Sequence, residues 1–522
     1  MMKIFSFLLF LPFIIGACTT SAKNELSQHD ILITNAKIVD GSGSEAFDGD
    51  IFIQNGVISQ VGEIEADQIN PSKTIDAAGR VVSPGFIDMH SHGNPLETPE
   101  FQNFLAMGIT TITLGQDGGS VHTRDISGWM DEVDKTGTGP NIVHMQGHGT
   151  LRRLVEAPMQ SDLNSSYIQE MHNLMNQAML AGSFGMTTGL EYEPGKFADM
   201  SELTAVAEPV AKHGGLIQSH MRNEDDDQVE KSIEELLEQG EKSGAKVHIS
   251  HIKIVYANNP DRAGEVLQKM DNARKNGARV TADLYPYAAS YTGIGIVFPA
   301  WAKAPNNFEE VVSNRREELA EFLREKVASR NGPESTLFGT EPWAGMTLAE
   351  VADSLSKPFE DVLIDDIGPR GAGAAYFVMN ENVMQRFLQD PHIMISTDGS
   401  PTMQHPRSYG SFAKIIRKYV VEEPVLKLEE AIRKMSGLSA ETLGLDDPSR
   451  VEVPRGLIKE GFAADLLIFN PENVRDNSTF DQPHRLSEGF DWVLVNGIPI
   501  LEDGSFTDPK SGQVIRRKTF PN

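Results

Sequence analysis

Cysteine is nearly missing from this 522-residue chain, which has one, Cys18. A lone cysteine excludes any intrachain disulfide. Basic residues are also scarce: 46 Lys and Arg stand against 74 Asp and Glu, for a formal net charge of −28. That deficit argues against nucleic acid as a partner, because phosphate binding needs basic patches. It describes instead a well-solvated acidic surface. The apolar run at residues 4–15 is too short to span a bilayer. Repeats and low-complexity tracts are missing too. What is present is ordinary globular composition, 39% apolar and 23% charged, so nothing argues for disorder of the chain as a whole. The length suits a large catalytic domain with a smaller companion.

The N-terminus has the marks of a targeting segment. Lys3 precedes the apolar run, which ends in Ile15-Gly16-Ala17-Cys18 and resembles the lipobox of bacterial lipoproteins. The resemblance implies that residues 1–17 are a signal peptide and that Cys18 is the lipidation site. Thr19, in place of an aspartate, points to the outer membrane. The expected location is the bacterial cell envelope, on the periplasmic side, with membrane contact only through the N-terminal lipid anchor. Residues 18–28 are polar and read as a tether.

From Asp30 onward, short strand-like runs such as Ile31-Leu32-Ile33 and Ile51-Phe52-Ile53 are punctuated by turn residues such as Asn55-Gly56. The C-terminal part looks alike, with Leu466-Leu467-Ile468-Phe469 and Trp492-Val493-Leu494-Val495. Residues 29–84 and 446–522 are therefore expected to form one small β-sandwich. Between them, at 85–445, apolar strands alternate with helical stretches. Candidate strands begin near Gly85, Thr110, Asn141, Gly185, Gly215, Lys246, Arg279 and His392. Eight strands in β-α alternation predict an α/β fold, a TIM-type (β/α)8 barrel. The long charged stretch at about 298–375 reads as an inserted lid subdomain.

The chemistry concentrates at the predicted strand ends. In Pro84-Gly85-Phe86-Ile87-Asp88-Met89-His90-Ser91-His92, the alternation of a strand puts His90 and His92 on one side, where two imidazoles can grip one metal ion. His220 and His251 each follow an apolar strand and are 31 residues apart, about one βαβ unit. All four histidines are thus expected on the C-terminal rim, where barrel enzymes carry their catalytic groups. Asp398, just after the eighth strand, can bind metal, take a proton from metal-bound water or cap a helix. Arg222, two residues beyond His220, is a candidate for holding a substrate carboxylate.

Together these residues resemble the amidohydrolase superfamily. A closer similarity is to its N-acyl-D-amino-acid deacylase (D-aminoacylase) branch. It is carried by Gly147-His148-Gly149-Thr150-Leu151-Arg152, Gly189-Leu190-Glu191-Tyr192-Glu193-Pro194-Gly195, Ser250-His251-Ile252-Lys253 and Tyr285-Pro286-Tyr287. The resemblance covers nearly all of the mature chain. It implies metal ligation by His90, His92, His220 and His251, and proton transfer by Asp398. It also implies substrate binding by Lys253, Tyr192, Tyr285 and Ser290. No lysine stands at the end of the fourth strand to bridge two metals. One departure matters. The branch has a cysteine ligand after the second strand, within Gly-Asn-Cys-Gly, where this chain has Gly115-Gln116-Asp117-Gly118. Asp117 takes that position, as a harder and less tightly held ligand for zinc than a thiolate.

The resemblance therefore implies a zinc-dependent enzyme with one or two divalent ions. Asp117, His220 and His251 hold the main ion, and His90 and His92 hold a second or complete the site. The expected reaction is hydrolysis of a linear amide, releasing a D-amino acid and a carboxylate from an N-acyl-D-amino acid. The expected partner is this small molecule, with no nucleic acid. Two alternatives stand beside it: an isoaspartyl- or D-dipeptidase or cyclic-amide hydrolase of the same superfamily, and a non-catalytic envelope binding lipoprotein.

Overall fold

The computed structural model describes residues 30–65, 69–257, 259, 261–507 and 510–518. The predicted signal peptide, Cys18 and the tether lie outside the described residues.

Eight parallel strands carry the functional rim. They are β1 (Phe86–Asp88), β2 (Ile109–Leu114), β3 (Asn141–His144), β4 (Gly185–Gly189), β5 (Leu216–His220), β6 (Lys246–Ile249), β7 (Val280–Leu284) and β8 (Ile393–Ile395). Strand β2, Ile-Thr-Thr-Ile-Thr-Leu, is buried along its whole length, as expected where helices cover a parallel sheet. Strands β1, β2 and β3 belong to one sheet. Strands β4 to β8 belong to another, joined by Gln146–Gly147 alongside β4. Two seams connect the sheets. Beyond β3, the Phe184 N–H donates to the His144 carbonyl. Beyond β1 and β8, Ser91 bridges Gly399 in parallel, the His92 N–H donates to the Gly399 carbonyl and the Asp398 N–H to the His90 carbonyl.

Helices Ser165–Ala181, Met200–Lys212, Val229–Ser243 and Arg262–Lys275 separate β3 through β7 in turn. The third shows why: Val229, Ile233, Leu236 and Gly240 recur at helical spacing and are buried, while Glu234, Glu238 and Glu241 face outward. Asp199 and Asn164 cap two of these helices with side-chain oxygens, and Gly244 closes the third at φ +80°.

Both ends of the chain build one nine-stranded sheet. Ile31–Ile38, Phe47–Gln54 and Val81–Pro84 come from the front, Leu466–Phe469 and Phe490–Val495 from the back, and Val81–Pro84 pairs antiparallel with Leu466–Phe469. Ile31, Ile33, Ile51, Ile53, Val82, Leu466 and Ile468 fill its core. The last strand departs from the expected grouping with this sheet: Val514–Ile515 pairs in parallel with β3, so the C-terminus supports the parallel strands instead. Between β7 and β8 the chain makes a three-stranded sheet, Ser290–Gly293, Thr336–Phe338 and Gly373–Tyr376, with helix Phe308–Ser329 and a hydrophobic core of its own.

Candidate active site

The ends of β1, β2, β5, β6 and β8 converge on one carboxylate, Asp117. Its oxygens lie 3.3 Å from His90 Nε2, 3.3 Å from His92 Nε2, 3.5 Å from His251 Nε2 and 3.7 Å from His220 Nδ1. Asp398 Oδ1 closes the first half of the cluster, 3.3 Å from His92 Nε2 and 3.6 Å from His90 Nε2. Two groups of side chains that could hold a metal ion therefore share Asp117: His90, His92 and Asp398 on one side, His220 and His251 on the other. Both nitrogens of His90 and Oδ1 of Asp117 are buried with no hydrogen-bond partner. Buried polar atoms left this way cost free energy unless something else satisfies them.

The backbone is bent to make this possible. Asp117, His251 and Asp398 all have positive φ, at 53°, 36° and 46°. Such conformations are disfavoured for residues with a Cβ and cluster where function requires them. The turn that lifts Asp117 starts at Gly115, with φ +96°, where an added Cβ would meet the Met145 carbonyl oxygen at 1.9 Å. His90 and His92 lie just past the end of β1, and their alternation is preserved by the Ser91–Gly399 bridge. Beneath the cluster, Asp283 accepts from the His251 N–H and pairs with His248, which fixes the loop after β6.

Charge explains what the cluster favours. Burial alone would hold the imidazoles neutral. The hydrogen bonds of His92 to Asp117 and Asp398 outweigh burial and push its pKa up to about 10. His220 is likewise pushed up to about 10, against burial, by Glu224, Asp117 and Glu191. Burial would raise Asp117 as well, but the surrounding histidines hold its carboxyl well below the usual carboxylate range. The field thus favours positive charge at this point, and a divalent cation can take the place of the imidazole protons. The donor set of imidazoles and carboxylates fits zinc or a similar first-row ion.

A second layer orients the ligands. The His220 Nε2 faces Glu191 at 3.0 Å, which leaves Nδ1 toward Asp117. The His251 Nδ1 faces Glu224 at 3.2 Å, which leaves Nε2 toward Asp117. A carboxylate behind a metal-binding histidine fixes its tautomer and raises its basicity. Arg407 donates to Asp398 Oδ2 at 2.9 Å, and with the neighbouring histidines it overcomes burial to keep that carboxyl ionised. Glu191, Glu224 and Arg407 were not singled out by sequence reasoning. Glu191 lay within a quoted motif, whereas Glu224 and Arg407 had no spacing to mark them.

Of the predicted substrate-binding residues, Lys253, Tyr192, Tyr285 and Ser290 all line the small cavity over the cluster. Lys253 donates to Glu224 at 2.7 Å, the Tyr192 hydroxyl accepts from Thr292 at 3.2 Å, and the Tyr285 ring carries Arg407 at 4.6 Å. The Arg222 prediction is corrected. Its guanidinium is bound by Glu235 and by the carbonyls of Lys196 and Ala198, and it does not line the cavity. His148 and Arg152 both bind the buried Glu202. The cavity adjoins a cleft of about 1150 Å³ between Tyr192, Lys196 and the inserted segment.

A comparison with known proteins matches residues 73–500 to the amidohydrolase family. The chain belongs to that family. This amidohydrolase is 28% identical to D-aminoacylase of Alcaligenes xylosoxydans xylosoxydans, over 95% of its own length and 99% of the relative's. It is 30% identical to N-acyl-D-aspartate deacylase of the same organism, over 94% and 95%. Among solved structures, an N-acyl-D-glutamate deacylase from Bordetella bronchiseptica, complexed with zinc and a phosphonate mimic of the tetrahedral intermediate, superimposes with a TM-score of 0.79. That match has 29% identity and covers 94% of this chain and 100% of the other.

Proposed function

We propose that this amidohydrolase cleaves N-acyl-D-amino acids to a D-amino acid and a carboxylate, with one or two zinc-like ions at the shared Asp117. The observation that carries this reading is the convergence of four histidines on Asp117, with Asp398 held ionised beside them. The relatives named above supply the substrate class.

His90, His92, Asp117, His220 and His251 would hold metal. Bound there, a divalent ion supplies Lewis acidity that activates water and offsets charge on the scissile carbonyl oxygen. Asp398 takes a proton from the attacking water and returns it to the departing amine nitrogen as the C–N bond breaks. The water oxygen thus ends on the acyl carbon and the proton on nitrogen. Arg407 keeps Asp398 charged and oriented through the other carboxylate oxygen. Lys253, Tyr285 and Ser290 supply cationic and hydroxyl donors for the substrate α-carboxylate, and Tyr192 forms the wall against His220, with ring centroids 4.4 Å apart. A panel of N-acetyl-D- and N-acetyl-L-amino acids, dipeptides and hydantoins tests the reading. Cleavage of the D-acyl substrates supports it, and cleavage of another amide class alone overturns it.

The reading extends to architecture and location. The eight strands close as a barrel, the terminal strands form a sandwich beside it, and the inserted segment serves as a lid. Residues 1–17 are removed as a signal peptide and Cys18 is lipidated, which anchors the enzyme on the periplasmic side of the outer membrane. Among the described residues, no helix is long and apolar enough to cross a membrane. Mass measurement of the mature N-terminus from a native host tests the anchor: a diacylglyceryl mass on Cys18 supports it, and an unmodified N-terminus overturns it.

A further inference from the structure

The parallel strands carry charge at both ends. The metal site occupies the C-terminal rim. At the opposite end, ahead of β4, β5 and β6, the chain gathers three cations that the catalytic reading does not use. Arg517 follows the last strand, Val514–Ile515, and its N–H donates to the carbonyl of Gly182, three residues before β4. Arg450 Nη1 donates at 3.0 Å to the carbonyl of Gly214, two residues before β5. Lys246 opens β6, and its ammonium donates at 3.1 Å to the Thr442 carbonyl.

Arg517 is 5% exposed, and its Nε is buried without a partner. Its guanidinium makes no ion pair and no hydrogen bond among the described residues. Arg152, Arg407 and Arg455 are buried too, and each meets a carboxylate. What faces Arg517 is another cation. The position that a Cβ would take on Gly214 lies 3.2 Å from Arg517 Nη2 and 3.6 and 3.7 Å from Arg450 Nη1 and Nη2. The three atoms nearest to that point are thus all guanidinium nitrogens, and glycine leaves the space between them open. Burial and Arg450 push the pKa of Arg517 down to about 10, with no carboxylate to offset them. Lys246 is pushed down to about 8 by burial, Arg450, Arg279 and Arg517, against a smaller pull from Asp446. Asp447 does meet Arg450, but at Nε, 3.3 Å away, which leaves the Nη edge toward Arg517. Buried like charges without a counter-ion repel and cost free energy, so this arrangement calls for an anion from outside.

We propose that Arg517 and Arg450, with Lys246 beside them, bind the phosphate group of a small soluble molecule at the N-terminal end of the strands. One guanidinium fork satisfies a carboxylate. Two forks and an ammonium match the near-double charge and three oxygens of a phosphate. Glu441, Asp446 and Asp447 line the hollow next to Lys246 and Arg450, and the chain carries a net charge of −28. Both oppose an extended anionic surface and leave room for a small ligand. Occupied, the site ties the last strand, which pairs with β3, to the turns before β4 and β5. Phosphate therefore acts on stability and leaves the distant metal site unchanged.

The test titrates inorganic phosphate into the metal-loaded enzyme and its Arg517→Gln and Arg450→Gln variants by calorimetry. Melting temperatures are measured beside it, in phosphate and in chloride of matched ionic strength. The wild type should bind phosphate saturably and melt higher in phosphate. Arg517→Gln should weaken that binding by about 10–10²-fold, the scale of a charged hydrogen bond, and should lose the melting gain. In chloride it should melt at or above wild type, because an uncompensated buried charge is gone; an arginine with a purely structural role would lower the melting temperature in both buffers equally. Phosphate held at the metal centre would be common to all three proteins and would compete with substrate, whereas binding at Arg517 does neither. No saturable binding by the wild type, equal affinity in wild type and Arg517→Gln, or an equal loss of melting temperature in both buffers overturns the proposal. If Arg517→Gln fails to fold, Arg450→Gln, at a partly exposed residue, decides by its phosphate affinity.

Discussion

Replacing Asp398 by Asn separates proton transfer from metal binding. Asparagine keeps the shape and one acceptor oxygen, but it cannot take a proton from water. General acid–base catalysis is worth about 10²–10⁴-fold, so kcat should fall by that factor. Metal content should stay near normal, because His90, His92, Asp117, His220 and His251 are all still present. The structure adds a second consequence. Arg407 is 2% exposed and loses its charged partner at 2.9 Å. Removing one member of a buried ion pair costs about 3–5 kcal/mol. The remaining amide oxygen still accepts a hydrogen bond, so the lower end of that range applies. The assay is amine release under saturating substrate, run beside elemental analysis of the same sample and thermal denaturation of the chelated protein. Wild-type kcat at wild-type metal content would remove Asp398 as the proton carrier. A fall in kcat that tracks metal loss would make it a ligand first.

Asp117→Asn removes the carboxylate shared by both ligand sets. Metal affinity, measured by competition against a chromophoric chelator, should fall by at least about 10²-fold, beyond the effect of losing an outer hydrogen bond; unchanged affinity would take Asp117 out of the centre. Glu202 gives a pH test away from the metal. Burial would raise its pKa, but hydrogen bonds from Arg152 and His148 outweigh burial and lower it to about 2 from 4.5. Its stabilisation is therefore complete above pH 4.5 and lost as pH falls from there toward 2, a change of about 3 kcal/mol. Glu202→Gln should melt below wild type at pH 7, and the gap should close toward pH 3; a gap independent of pH would mean that the charge of Glu202 contributes nothing.

Much of the rim was legible in the sequence because period and position coincide there. Histidines placed just after apolar runs, at βαβ spacing, have few places to go but one rim. The predicted strand starts at Asn141, Gly185 and Lys246 match the structure's, and the other five differ by one residue. Arg222 shows how little nearness in sequence decides: β5 ends at His220, and beyond it the chain turns so that the guanidinium meets Glu235. Glu224 was missed for the same reason in reverse: a loop residue without periodicity returns to the site and meets His251 and Lys253. Arg407 lies nine residues past Asp398. Only tertiary packing brings it to the cavity, and no local pattern announces it. Asp117 was singled out through a resemblance, but its place between the four histidines needed distances.

The most direct test of the central claim is stripping the metal from the purified protein and returning zinc in measured equivalents while following N-acetyl-D- and N-acetyl-L-amino-acid hydrolysis. The account predicts negligible turnover without metal, recovery as the first one or two equivalents bind, and cleavage of the D-enantiomers with little of the L. Full activity in the stripped protein, or recovered activity confined to L-substrates, would contradict it.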